Sequence, residues 1–77
     1  MKINIELMGA LADFHPDSKH GLFEFILKEK STIEDLLKLL NIKRKVNFAV
    51  NGDEEKDLVY VLSEGDEVTF FTVISGG

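Results

Sequence analysis

The 77-residue chain has no cysteine, no tryptophan and a single proline. Without cysteine it can form no disulfide framework and no thiolate metal site. With only two histidines besides, a His/Cys metal cluster is excluded. No apolar run approaches the roughly 20 residues that cross a bilayer. The opening Met1-Lys2-Ile3-Asn4-Ile5-Glu6 alternates, and so lacks the continuous apolar stretch of a secretion signal. Positive charge is scarce as well. Lys+Arg number 9 and Asp+Glu 14, a formal net charge of -5, with a pI near 4.9. Such a chain lacks the basic footprint that binds nucleic-acid phosphates or anionic lipid. The expectation is a cytoplasmic protein without a nucleic-acid or membrane partner. Its length allows one domain. It is also short for an enzyme, whose pockets typically occupy about 300–1,000 Å³. What the chain does have is apolar bulk: 44% of residues are hydrophobic, including six Phe. In a small domain with no staples, the core must supply the stability.

The apolar pattern gives an order of elements. Residues 2–8 alternate, with Ile3, Ile5 and Leu7 on one side, as in a half-buried strand. Gly9 to Gly21 reads as a loop, with a short turn around Leu11 to Phe14. Leu22 to Lys28 is a second strand. Ser31-Thr32-Ile33-Glu34 fits a capping box with Ser31 at the N-cap and Glu34 reaching back. Ile33, Leu36, Leu37 and Leu40 then follow at helical spacing, and Asn41 is the stop. Val46 to Val50 is a third strand closed by the turn pair Asn51-Gly52. Leu58 to Leu62 is a short extended piece, Glu64-Gly65-Asp66 a turn, and Val68 to Ile74 the last strand. One helix must cover one face of a mixed sheet. With the first two strands as a hairpin, the last strand lies beside the first in parallel. The expected fold class is α+β, a β-grasp (ubiquitin-like) roll over residues 1–77, with residues 72–77 as a flexible tail.

The chemically informative segment is the close, Ser75-Gly76-Gly77. A Gly-Gly carboxylate has no side chain near the reacting carbon and adopts any backbone geometry a narrow channel demands. The carboxylate itself is a poor electrophile. ATP can activate it as an acyl-adenylate. A sulfur nucleophile then displaces AMP and leaves a thiocarboxylate, or an amine attacks and leaves an isopeptide. Either way the catalytic groups belong to a partner, and this chain is carrier and substrate.

The residues around that close resemble a known family. Gly65-Asp66-Glu67-Val68-Thr69-Phe70-Phe71, followed by Val73-Ile74-Ser75-Gly76-Gly77, is similar to the ending of the MoaD/ThiS sulfur carriers. Phe48-Ala49-Val50-Asn51-Gly52 resembles their internal turn. The Gly-Asp-Glu-Val-x-Phe-Phe run and the long loop at 9–21 stand closer to the MoaD branch, the small subunit of molybdopterin synthase. Thr72-Val73 and Leu11-Ala12-Asp13 stand where that branch often has prolines and an arginine. The resemblance implies that an E1-like activating enzyme of the MoeB/ThiF type, using ATP and Mg, adenylates Gly77. A sulfur-donor protein then supplies the thiocarboxylate. In the MoaD branch, a MoaE-like large subunit would receive that sulfur for molybdopterin. The resemblance assigns no cofactor to this chain. A ThiS-like carrier serving a thiazole synthase, a carrier for cysteine or tungsten-pterin synthesis, and a ubiquitin-like modifier are the alternatives. A plain interaction domain with an incidental Gly-Gly is the fourth.

Besides Gly76 and Gly77, the expected partner-binding residues are Phe71, Val73, Ile74 and Ser75. Phe71 alternates away from Phe70, so it falls on the outer sheet face as a docking anchor; the ordinary alternative packs it beneath a loop. Glu64, Asp66 and Glu67 either serve turn chemistry or pair with a basic partner. His15 and His20 read as solvated loop residues, and Lys43-Arg44-Lys45 as a solvated helix exit.

Overall fold

The computed structural model describes residues 1–9, 11, 21–43 and 45–72. The elements are β1 (Lys2–Leu7), β2 (Leu22–Ile26), α1 (Ile33–Leu39), β3 (Asn47–Val50) and β4 (Glu67–Phe71). The four strands form one sheet in the order β2-β1-β4-β3. β1 pairs antiparallel with β2 and parallel with β4, and β3 pairs antiparallel with β4. The expected parallel contact between the first and last strands is therefore present, at the centre of the sheet. The chain has the β-grasp fold.

Alternation decides which face is buried. Ile3, Ile5, Leu7, Val68, Phe70 and Val50 point inward and meet Ile33 and Leu36 of α1. Phe70 and Ile3 are fully buried. Each such side chain contributes about 1.5–3 kcal/mol by leaving water. Phe48 sets its ring edge-on to Phe70, with centroids 6.3 Å apart.

The helix begins one residue later than its sequence predicts. Thr32, not Ser31, is the N-cap. Its Oγ1 accepts from Asp35 N–H at 3.2 Å, and the Asp35 carboxylate accepts from Thr32 N–H at 3.0 Å. Aspartate can close the box as glutamate does, and the Thr32/Asp35 pair puts Ile33 and Leu36 against the sheet. Ser31 Oγ instead donates to the Lys28 carbonyl at 2.7 Å, closing the turn before the helix. Asn41 ends the helix as expected. It takes φ +59, and Ile42 N–H returns to the Leu37 carbonyl while Asn41 N–H returns to that of Lys38. This is a Schellman motif, sealed by the burial of Ile42.

Two further expectations are adjusted. Leu58 to Leu62 forms no strand, only a single bridge between Val61 and Thr32. The backbone there is used on the helix start, where Tyr60 and Leu58 carbonyls accept from Ile33 and Glu34 N–H. β2 stops at Ile26, because residues 28–31 turn toward the helix. Of the expected last strand, β4 covers residues 67–71, and residues 73–77 lie outside the described residues, as does most of the 9–21 loop.

Candidate functional site

The candidate site begins where β4 delivers the chain past Phe71. β4 lies between β1 and β3, so it is held on both edges. Its entry is fixed by an Asn51–Asp66 pair. Asp66 is buried and accepts from Asn51 Nδ2 at 3.0 Å and from Ser63 N–H at 2.8 Å. Asn51 Oδ1 accepts from Glu67 N–H at 2.9 Å, and its own N–H donates to the Glu67 carbonyl at 2.7 Å. Asn51 and Gly52 both have positive φ, 52 and 83, the backbone of a type I′ turn. The turn pair thus holds the start of β4 through a side chain as well as its shape. At the other end of β4, Met8 N–H donates to the Phe70 carbonyl at 3.0 Å.

Phe71 lies on the outer face, in register with Asn47 of β3, and is half-buried. The expectation of an outer-face aromatic holds, and no loop buries it completely. The outer face continues through Thr69 and Ala49, which are paired in register, and through Leu22 of β2. Met8, the first residue beyond β1, is 48% exposed and Leu22 is 54% exposed. Sequence reasoning missed Met8 and Leu22. The signal was available, because apolar residues at those positions break the alternation that reserves the outer face for polar groups. Carboxylates surround the apolar part. Glu6 accepts from Thr69 Oγ1 at 3.5 Å, Glu24 lies 3.9 Å from Lys2, and Glu67 is exposed.

The acidic group before β4 divides. Asp66 serves the turn, and Glu64 accepts from Lys2 N–H at 3.0 Å; only Glu67 of the three remains exposed with its side chain uncommitted to a turn. Val73, Ile74, Ser75, Gly76 and Gly77 lie outside the described residues, so of the expected site residues the structure places Phe71 alone. His15, His20 and Arg44 also lie outside them. Among the described residues no group of three or more His, Asp or Glu could hold a metal ion. Among them, too, no helix is long and apolar enough to cross a membrane.

The sequence model of the ThiS family matches residues 5–77. The chain belongs to the ThiS family. Its members, together with MoaD, are small ubiquitin-fold sulfur carriers or modifiers and not enzymes. This ThiS-family chain is similar in fold to SAMP1 from Haloferax volcanii, at 19% identity, full coverage of both chains and a TM-score of 0.78. It is also similar to a putative molybdopterin converting factor, subunit 1, from Pyrococcus furiosus, at 20% identity, covering 95% of this chain and 98% of that one, with a TM-score of 0.79. A third likeness is to a complex of subunits 1 and 2 of molybdopterin-converting factor from Helicobacter pylori, at 18% identity, full coverage of both chains and a TM-score of 0.67. No curated protein sequence matches the ThiS-family chain.

Proposed function

We propose that this ThiS-family chain carries sulfur on the carboxylate of Gly77, and that the sulfur goes to molybdopterin synthesis. The observation that carries the reading is the family match, which runs through the closing Gly-Gly. In the proposed sequence the Gly77 carboxylate attacks the α-phosphorus of ATP on an E1-like enzyme and releases pyrophosphate. The terminal sulfur of a donor-protein persulfide then attacks the acyl carbon and releases AMP. A further thiol cleaves the resulting acyl disulfide at its S–S bond, leaving the Gly77 thiocarboxylate and a disulfide on the donor. ATP and Mg belong to the activating enzyme. Gly76 keeps the approach to the acyl carbon narrow, and Phe71, Val73, Ile74 and Ser75 form the docking strip that leads the tail in. The acidic surround of Phe71 favours a basic rim on the partner. The MoaD-like close, Gly65 to Phe71, supports a MoaE-like large subunit as recipient.

A second reading, conjugation to lysine amines as a ubiquitin-like modifier, draws support from the likeness in fold to a small archaeal modifier protein. Intact-mass analysis separates the two. With an E1-like enzyme, ATP and a sulfur donor, the carrier reading expects one oxygen replaced by sulfur, and loss of that change when Gly77 is deleted. Gly-Gly remnants on target lysines without any thiocarboxylate in molybdopterin assembly would favour the modifier. An unchanged mass with an active E1-like enzyme overturns both.

A further inference from the structure

The end of the sheet opposite Phe71 carries a second surface. A groove of about 600 Å³ runs between the end of β2 and the exposed side of α1, lined by Ile26, Leu27, Lys28, Asp35, Lys38 and Leu39. Its apolar residues are unusually open for their type. Ile26 is 69% exposed and Leu39 is 61% exposed. Large exposed apolar side chains gathered in one groove mark an interaction site more often than isolated ones do.

The groove borders a strand edge that pairs with no other strand among the described residues. β2 is the outermost strand of the sheet. Gly21 and Leu27 carbonyls accept from Leu7 and Met1, and Leu27 N–H donates to the Met1 carbonyl. Odd-numbered residues of β2 therefore bond toward β1. Antiparallel alternation turns the N–H and C=O of Leu22, Glu24 and Ile26 the other way, outward. An edge of this kind binds extended peptides by adding a strand, with backbone bonds giving affinity and side-chain pockets giving selectivity.

Charge selects the occupant. In a chain of formal net charge -5, the groove carries two lysines. Lys28 has no ion-pair partner among the described residues, and Lys38 lies 3.7 Å from Glu34. The one carboxylate in the lining, Asp35, is committed to the helix cap. The groove is thus apolar in the middle and basic at the rim.

We propose that this groove is a docking site for an extended segment of a partner protein, with alternating branched apolar residues and flanking carboxylates. The segment lies along β2 as a fifth strand. It bonds to the outward amide groups of Glu24 and Ile26, sets an apolar side chain into the groove against Leu39, and places its carboxylates by Lys28 and Lys38. Its position is away from the end of β4. Ile26 is in register with Lys2, whereas Phe70 is in register with Leu7. The two ends of β1 are about 17 Å apart at strand rise. A partner can therefore hold the domain while Gly77 reacts elsewhere, and the inference does not depend on the chemistry proposed for Gly77.

The test uses the full chain labelled with nitrogen-15 and a capped synthetic peptide of alternating valine and isoleucine flanked by aspartates. Expected are saturable shifts of the Glu24, Ile26, Lys28, Lys38 and Leu39 amides. Leu39→Glu should weaken the titration about tenfold or more, equivalent to ~1.4 kcal/mol. Leu39 is exposed, so this variant should fold, and its amide spectrum away from the groove checks that it does. Replacing the flanking aspartates with lysines, or the central residue with proline, should abolish the shifts. The proposal is overturned if none of these amides moves, if the lysine-flanked peptide binds equally, or if the shifts fall only on the outer face at Met8 and Thr69. It is also overturned if the same amides shift with protein concentration alone, which would make a second copy of this chain the occupant.

Discussion

Replacing Asp66 with Ala should cost stability out of proportion to the size of the change. The carboxylate is buried and joins three places in the chain: Ser63 N–H at 2.8 Å, the Asn51 amide at 3.0 Å, and through Asn51 Oδ1 the Glu67 N–H at 2.9 Å. A hydrogen bond to a charged acceptor contributes about 1.5–3 kcal/mol. The low end applies to the Ser63 bond, because Ser63 is exposed and water can replace the acceptor. The Asn51 bond adds about 0.5–1 kcal/mol, as its donor is also exposed. The sum is about 2–2.5 kcal/mol. For a domain of this length that is a fall in Tm of about 8–20 °C. Asn51→Gly isolates the other partner, since glycine accepts the φ of +52 that alanine would resist. The double variant should then be less destabilised than the sum of the singles by about 0.5–1 kcal/mol, the worth of the shared bond. Urea denaturation of the four proteins measures all three quantities. A loss for Asp66→Ala below about 0.5 kcal/mol, or strict additivity with Asn51→Gly, would refute the claim that this pair secures the entry to β4.

Other outcomes follow from the same structure. Phe70→Ala should cost about 3–5 kcal/mol, the usual cost of an emptied aromatic core site, and urea denaturation would show it. Phe71→Ala, one residue on, should leave most of the stability in place but slow activation by the E1-like enzyme, measured as the rate of pyrophosphate release. Thr32→Ala should cost about 1 kcal/mol as a lost helix cap, read from the same denaturation curves. The Thr32 backbone N–H, then its hydroxyl, holds the Asp35 carboxyl below its usual range, with a smaller contribution from Lys38. A carboxyl depressed by folding stabilises above its unfolded pKa and ceases to as pH falls through the folded one. Part of the acid sensitivity below the ordinary aspartate range should therefore disappear in Asp35→Asn, checked by thermal melts across acid pH.

The places where sequence and structure part are informative. The capping box was expected at Ser31 and Glu34 and formed at Thr32 and Asp35, because two overlapping candidates fit the pattern. The choice fell to the register that turns Ile33 and Leu36 toward the sheet. Leu58 to Leu62 has the composition of a strand, yet its backbone is used on the helix start. Asn51-Gly52 was readable as a turn, but its side-chain hold on Asp66 and Glu67 spans 15 and 16 residues, which no local pattern encodes. Phe71 could be placed on the outer face by counting alternate residues. Met8 and Leu22 were legible in the same way as apolar residues out of alternation, but that they share one face with Phe71 follows only from the strand order of the sheet.

By itself the sequence determined the fold class, the faces of β1 and β4, and the family to which the chain belongs. These follow from a period of two, a period of 3.6 and a closing motif, all of which are local. Tertiary structure alone decided what lies beside what. It put Asp66 to work in the entry of β4 instead of leaving it to attract a partner. It also left the outer edge of β2 beside a groove whose lysines stand out in an acidic chain. The physical reason is the same in both cases. Burial, hydrogen-bond partnership and the local sign of charge depend on neighbours distant in the chain, and only the packed sheet and helix bring those neighbours together.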